Sequence, residues 1–223
     1  MEDFHHAQFK RDSRLGEAVG LFGIFDGHGG PNAADYVRSN LFINIMSHQK
    51  FVGDLPGATA EAYESTDTQY MRQDCNSSRD DGCTAVTALL VGQRLLVANV
   101  GDSRAVLCRA GKGVALSGAG GVVVWAGTWR VGGVLAVSRA FGDRPLKRYV
   151  IATPHMRDEH LTPDDEFLIL ASDGLWDVMS NQDSVALIRD VIDVEKAAKR
   201  LTDEAFARGS ADNISCVVVR FKF

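Results

Sequence analysis

Four aspartates occupy one kind of place in this sequence, the end or the border of an apolar run with strand character. Asp26 follows Gly-Ile-Phe, Asp102 follows Asn-Val-Gly, Asp173 follows Leu-Ala-Ser, and Asp212 stands just before Ile214. One such Asp is an ordinary turn former, but four with Gly or Asn beside them suggest strand ends that converge. Carboxylates gathered at one sheet edge repel one another unless they are protonated or neutralised. Hard divalent cations that prefer oxygen ligands, Mg²⁺ or Mn²⁺, are the natural neutraliser. Asp26-Gly27-His28-Gly29-Gly30 adds two features to that chemistry. Its glycines let backbone carbonyls approach an ion, and its imidazole, two residues past the carboxylate, could act as a general acid. Away from a carboxylate site the same His would be a hydrogen-bonded loop residue.

Other phosphate and ester chemistries fail on position. A Walker A loop ending in Gly111-Lys112 would need Gly at 106 and Ser or Thr at 113, where Val106 and Gly113 stand. A cysteine phosphatase needs Arg six residues after its Cys. Asp81, Leu89, Val114 and Lys222 follow Cys75, Cys83, Cys108 and Cys216 at that distance. The Gly-x-Ser-x-Gly elbow is missing as well.

The elements that must hold these residues are legible in outline. An apolar run over residues 19–25 reads as a buried strand that stops at the glycine-rich loop, and Pro31 then opens a helix. Ala34, Val37, Leu41 and Ile45 give that helix its apolar face to about residue 48. A second helix is expected over 56–73, then a polar loop over 74–82. Runs at 84–91, 95–100 and 105–109, joined by short Gly-containing connections, predict a three-strand antiparallel meander. Residues 122–125, 133–137, 167–172 and 214–221 read as further strands. Ser180 with Asp183 resembles a capping box that opens two helices within 180–208, with Val185, Ile188 and Ile192 on the apolar face. Strand blocks interrupted by helix blocks, without β-α-β alternation, predict an α+β fold with layered antiparallel sheets.

Composition sets the class. The chain has 223 residues with 24 Lys+Arg against 29 Asp+Glu, a net charge of -5, and 45% hydrophobic residues, the profile of a globular protein. Its basic residues are scattered rather than striped, which argues against a nucleic-acid partner. The apolar stretches are too short to span a bilayer, and the N-terminus carries no secretory pattern, so no membrane association is expected and the reading is cytoplasmic, nuclear or both. The four cysteines lack Cys-x-x-Cys spacing and suit reduced thiols.

Seven segments then align with one family in its order: Met1-Glu2-Asp3, Phe25-Asp26-Gly27-His28-Gly29-Gly30, Asp81-Gly82-Cys83-Thr84-Ala85, Val100-Gly101-Asp102-Ser103-Arg104, Ser138-Arg139-Ala140-Phe141-Gly142-Asp143, Ala171-Ser172-Asp173-Gly174-Leu175-Trp176-Asp177 and Ser210-Ala211-Asp212-Asn213-Ile214. Nearly end to end, the sequence resembles the metal-dependent protein serine/threonine phosphatases of the protein phosphatase 2C (PP2C) type, especially the plant members. The resemblance implies a β-sandwich of two antiparallel sheets flanked by helices on both sides, in a single domain over residues 1–223. It implies hydrolysis of phosphoserine and phosphothreonine in phosphoproteins by a metal-bridging water, without a covalent intermediate, in a monomer.

The same resemblance implies roles by position. Asp26 would bridge two ions, Mg²⁺ or Mn²⁺, with Glu2 and the Gly27 carbonyl on one and Asp173 and Asp212 on the other. Asp102 with Asp173 would take a weaker third ion. Asp3 would orient the attacking water, and His28 would protonate the leaving oxygen. Trp176 is expected to pack beneath the site, Arg139 to make a structural ion pair, and Trp125 and Trp129 to pack in the core or wall rather than dock a partner.

The pattern departs from the family in two places. The family carries an Arg shortly before Met-Glu-Asp, where this sequence begins at Met1, and an Asp-His-Lys-Pro segment with a charged flap helix where Ser117 meets Gly118. An N-terminal segment and a flap are therefore expected in addition to what the sequence contains, with a mass above 24.2 kDa. The alternative is a non-catalytic, phosphoprotein-binding pseudophosphatase that keeps the metal fold. A third reading, a hydrolase of small phosphoesters or nucleotides, would need a closed pocket and base-stacking residues that are not identifiable.

Overall fold

Apolar residues at a period of two on both faces of a strand require a layer on each side, and that requirement builds this molecule. The computed structural model describes residues 1–73, 80–117 and 137–223. In chain order, β1 (Phe4–Asp12) and β2 (Glu17–His28) form a hairpin, followed by α1 (Asn32–Ser47), α2 (Leu55–Gln73), β3 (Gly82–Val91), β4 (Arg94–Val100), β5 (Arg104–Arg109), β6 (Lys112–Ala115), β7 (Phe141–Gly142), β8 (His155–His160), β9 (Asp165–Ala171), α3 (Asp173–Trp176), α4 (Asn181–Ile188), α5 (Val194–Ala207) and β10 (Cys216–Arg220). Two sheets result, one in the order β1-β2-β3-β4-β8 with β7 beside β3, the other in the order β10-β9-β5-β6. All of their pairings are antiparallel.

Alternation along the strands sorts side chains into three cores. On β2, Leu21 and Phe25 face α1 and α2, where they meet Val37, Leu41, Ile45 and Tyr63. Their neighbours Phe22 and Ile24 face the other sheet and pack with Leu107, Leu168 and Leu170. On β9, Phe167 and Ile169 point outward to Leu175, Val185, Ile188 and Leu201 of the remaining helices. This is the α+β sandwich with helices on both sides that the sequence implied, four layers deep.

The expected helix faces hold, with one exception. Ala34, Val37, Leu41 and Ile45 are buried on α1, and Ser180 Oγ accepts from the Asp183 N–H at 3.1 Å to cap α4. Ile192 falls between α4 and α5 and is 85% exposed, so it is not part of an apolar face. The three-strand meander is corrected: β3 and β4 pair, but the Gly101-Asp102-Ser103 connection carries the chain to the other sheet, where β5 pairs with β6 and β9. Nor does β2 stop before Asp26; it continues through His28, paired with β3 as far as Gly82. Among the strands that escaped the sequence reading are β1 and β8. Both are sheet edges of largely polar, largely exposed residues, without the apolar alternation that marks a strand. Arg139 donates to the Thr153 carbonyl rather than to an acid among the described residues. The strand expected at 122–125, all but Val137 of the one expected at 133–137, Trp125, Trp129, and most of the 74–82 loop lie outside the described residues.

Candidate metal centre

The ends of β1, β2, β4, β5, β9 and β10 and the start of α3 meet at one edge of the sandwich. Pairing of Phe4 with Phe25 sets the β1–β2 register, so Asp3 falls opposite Asp26 one step further along. Glu2 is tied across the sandwich by its N–H, which donates to Asn213 Oδ1 at 2.8 Å. The crossover from β4 to β5 delivers Asp102. Asp173 opens α3 directly after β9, and Ser172 fastens that point to the Asp212 loop: Ser172 N–H donates to the Ser215 carbonyl at 3.1 Å, and Ser215 N–H returns to Ser172 Oγ at 3.0 Å.

These ends line a cleft of about 780 Å³ in which Glu2, Asp26, Gly27, His28, Asp102, Asp173 and Asp212 all take part. One carboxylate oxygen from each of Asp26, Asp102 and Asp173 lies within 4.8 Å of the other two. Asp3 sits behind this surface, 8% exposed, against Asp26, Ser172 and Ser215. All eight sequence-predicted site residues therefore assemble at one place. Among the described residues that line the cleft there is no Lys or Arg. Val137, Pro145 and Leu146 form an apolar wall.

Crowding of like charge in a dehydrated cleft dominates the electrostatics. Burial, then the charges of Asp3, Asp173, Asp102 and Asp212, push the Asp26 carboxyl up to about 9. Asp173 is pushed up to about 6 by burial and by Asp102 and Asp212. Burial raises Asp3 and Asp102 as well. Burial would lower His28, but the hydrogen bond and charge of Asp143 outweigh it and raise the imidazole. Such a cluster stays ionised at neutral pH only if positive charge enters it.

The donor set fits hard divalent cations. It consists of oxygen only, it includes a buried Asp3 Oδ2 with no hydrogen-bond partner, and it keeps a side chain out of the way at Gly27. A Cβ there would stand 2.6 Å from the Glu2 carbonyl oxygen, so only glycine lets the β2 backbone run this close to Glu2. Cys83 is fully buried on β3 beside the cluster, with its thiol pushed well up by burial, which makes it inert rather than nucleophilic. Trp176 packs in the helix-side core and donates from its indole N–H to the Ala171 carbonyl at 2.9 Å, as expected.

One site residue was quoted in a motif but given no role: Asp143, whose Oδ1 lies 2.9 Å from His28 Nε2. Its signal in the sequence was only its place at the end of Ser138-Arg139-Ala140-Phe141-Gly142-Asp143. Sequence spacing of 115 residues gives no hint that it meets His28.

A two-sheet sandwich that focuses carboxylates and one imidazole on an open cleft defines a metal-dependent hydrolase. The family model described as "Protein phosphatase 2C" matches residues 1–214. "Probable protein phosphatase 2C 59" of Arabidopsis thaliana is 56% identical over 236 aligned residues, covering 99% of this chain and 75% of its own. The rice (Oryza sativa subsp. japonica) protein of the same name is 55% identical over 236 residues, at 99% and 72% coverage. The solved structure of a serine-threonine phosphatase 2C from Toxoplasma gondii shares the fold, with a TM-score of 0.86 at 23% identity, covering 99% of this chain and 90% of that one. The chain belongs to the protein phosphatase 2C family, and its activity class is that of a metal-dependent protein serine/threonine phosphatase. Nothing in these comparisons favours the non-catalytic alternative.

Proposed function

We propose that the cleft hydrolyses phosphoserine and phosphothreonine in phosphoproteins with two Mg²⁺ or Mn²⁺ ions and a weaker third. The observation that carries this reading is the cleft's one-sided charge. A phosphate dianion facing Glu2, Asp26, Asp102, Asp173 and Asp212, with no lining Lys or Arg among the described residues, is repelled unless cations stand between. By likeness to the family, Asp26 would serve two ions, Glu2 and the Gly27 carbonyl would hold one of them, Asp173 and Asp212 the other, and Asp102 with Asp173 would hold the third. When bound, such ions supply positive charge for the phosphate and activate water near neutral pH.

The chain's own residues do the rest. Asp3, buried with a free Oδ2, orients the attacking water. His28, half-buried at the cleft wall, delivers a proton to the departing serine or threonine oxygen. Attack by water without a covalent enzyme intermediate is supported by the inert setting of Cys83, which is buried beside Asp26 and Asp3. The open, half-apolar cleft suits a protein side chain rather than a nucleotide. The relatives' alignments run over 236 positions against 223 residues here, so the relatives carry residues without a counterpart in this chain, as a further segment between 117 and 118 of one phosphatase domain requires. Among the described residues no helix is long and apolar enough to cross a membrane. A monomer in the cytoplasm or nucleus completes the reading, and the net charge of -5 supports the lack of a nucleic-acid partner. Because a rice relative at 52% identity is named mitochondrial, cell fractionation is the check on compartment.

The deciding experiment is hydrolysis of a phosphothreonine peptide. Activity is expected only with added Mg²⁺ or Mn²⁺ in the millimolar range, abolished by EDTA and indifferent to thiol alkylation. Full turnover in excess chelator, or inactivation by an alkylator with the metals in place, would sink the metal reading.

A further inference from the structure

Asp143 is built into the molecule more elaborately than a turn residue needs. Its side chain is 5% exposed, its Oδ1 lies 2.9 Å from His28 Nε2, and its Oδ2 is buried with no hydrogen-bond partner. Its backbone is left-handed, with φ 51, an unusual state for any residue but glycine and one that clusters at functional sites. Other buried groups hold it there. Gly142 N–H donates to Asp67 Oδ1 at 2.9 Å, Lys147 pairs with Asp67 at 2.7 Å, and Asp143 N–H donates to the Asp81 carbonyl at 3.1 Å. The Asp81 side chain in turn accepts from Tyr70 Oη at 2.6 Å and from the Ala33 N–H at 3.1 Å, in the first turn of the helix that follows His28. Asp143 thus hangs from a buried residue that also ties the helix following His28. Gly82 leaves the room between them: a Cβ there would fall 2.3 Å from His28 Nε2 and 2.4 Å from Asp143 Oδ2.

We propose that Asp143 is the positioning residue for His28: it accepts from Nε2–H, fixes the ring, and leaves Nδ1 as the atom that serves the departing oxygen. This rests on the assignment of His28 as the proton donor. A hydrogen bond at one ring nitrogen sets what the other can do. With Nε2–H held by Asp143, the mobile proton is the one on Nδ1 of the imidazolium. As the P–O bond breaks, its electron pair stays on the serine or threonine oxygen, which takes that proton. The ring keeps the Nδ1–H pair and remains as the neutral Nε2–H form, and solvent returns a proton to Nδ1 before the next turnover.

The test is Asp143→Asn, since Asn tolerates the left-handed backbone better than other non-glycine residues and keeps the volume. Turnover on a phosphothreonine peptide should fall roughly 10- to 100-fold, with KM little changed, the usual range for loss of a group that orients a functional His. Hydrolysis of an aryl phosphate, whose phenolate leaves without a proton, should fall much less. His28→Ala should show the same contrast with a larger loss, roughly 10²- to 10⁴-fold, and adding Asp143→Asn to it should cost nothing further. Losses in Asp143→Asn that are equal on the two substrates, or that multiply with those of His28→Ala, overturn the proposal while leaving His28 as the acid. If His28→Ala itself lacks the contrast, the assignment of His28 fails and the proposal with it. Nitrogen-15 NMR of the metal-free protein reads the pair without turnover. The neutral His28 ring should carry its proton on Nε2, slow to exchange in the wild type and fast in Asp143→Ala, and a neutral ring protonated on Nδ1 overturns the proposal.

Discussion

Asp173 shows how a single residue can oppose stability while serving the function proposed for the cleft. It stands within 4.8 Å, oxygen to oxygen, of both Asp26 and Asp102, and its carboxyl is pushed up to about 6 by burial and by its neighbours. Removing its charge relieves the repulsion and, on the proposed function, removes a metal ligand at the same time. Asp173→Asn should therefore cost more phosphatase activity than any other single change in the cleft, on the order of 10²-fold or more. In metal-free protein at pH 8 it should raise Tm by a few degrees, the signature of a site strained for its task. Calorimetry beside a Mg²⁺ titration of activity checks both, and wild-type turnover in the purified variant would remove Asp173 from the site. The aspartate itself could be picked out in the sequence as a strand-end acid beside glycine. What could not be read there is its distance from Asp102, which depends on where the crossover between sheets lands.

At the scale of elements, the hairpin that carries Asp3 to Asp26 depends on its turn. Asp12 accepts from the Arg14 N–H at 2.8 Å and pairs with the Arg14 guanidinium at 2.6 Å, while that guanidinium also reaches the Met46 carbonyl at the end of α1 and lies over the Phe51 ring. The Arg14 hydrogen bond holds the Asp12 carboxyl down at about 2, against an ordinary value of 3.8. A carboxyl depressed in the folded state stabilises it above the unfolded value, and that stabilisation disappears as pH falls through the folded value. Asp12→Asn should thus lower Tm by about 2–4 °C at pH 7, with the gap to wild type closing as pH drops from about 4 to about 2. Thermal melts across that range decide it; a gap that persists at pH 2 would assign the effect to turn shape rather than charge. β1 was invisible in the sequence because a polar edge strand has no core to face, whereas β2, β3 and β9 announced themselves through apolar residues committed to two cores.

For the whole molecule, the acidic end of the sandwich couples pH, metal and stability. Asp26 at about 9 and Asp173 at about 6 both lie above the ordinary 3.8, so the folded metal-free protein holds protons that the unfolded chain has released. Stability of that form is full below about pH 4 and declines as pH rises through the two raised values. On the proposed function, divalent cations replace those protons. The Tm gained on adding saturating Mg²⁺ should accordingly grow between pH 5 and pH 8, because at the acid end protons have already neutralised the cluster. A gain that is flat or larger at pH 5, in melts with and without Mg²⁺, would show that the cation binds elsewhere.

The sequence by itself determined the chemistry and the class of fold. Strand-end acids, the Asp26-Gly27-His28-Gly29-Gly30 segment and seven ordered motifs are local, and so are the periods that mark α1, α2, β3, β4, β9 and the capped α4. Local signals report what a segment must bury and what it can bind. Only the tertiary structure decided that the turn at Asp102 is a crossover between sheets, that β2 carries its pairing through His28, and that Asp143 meets His28 from 115 residues away. Each of these is a matter of which strand a segment joins. That choice is made by the packing of two sheets and two helix layers at once, and hydrophobic period within one segment does not encode it.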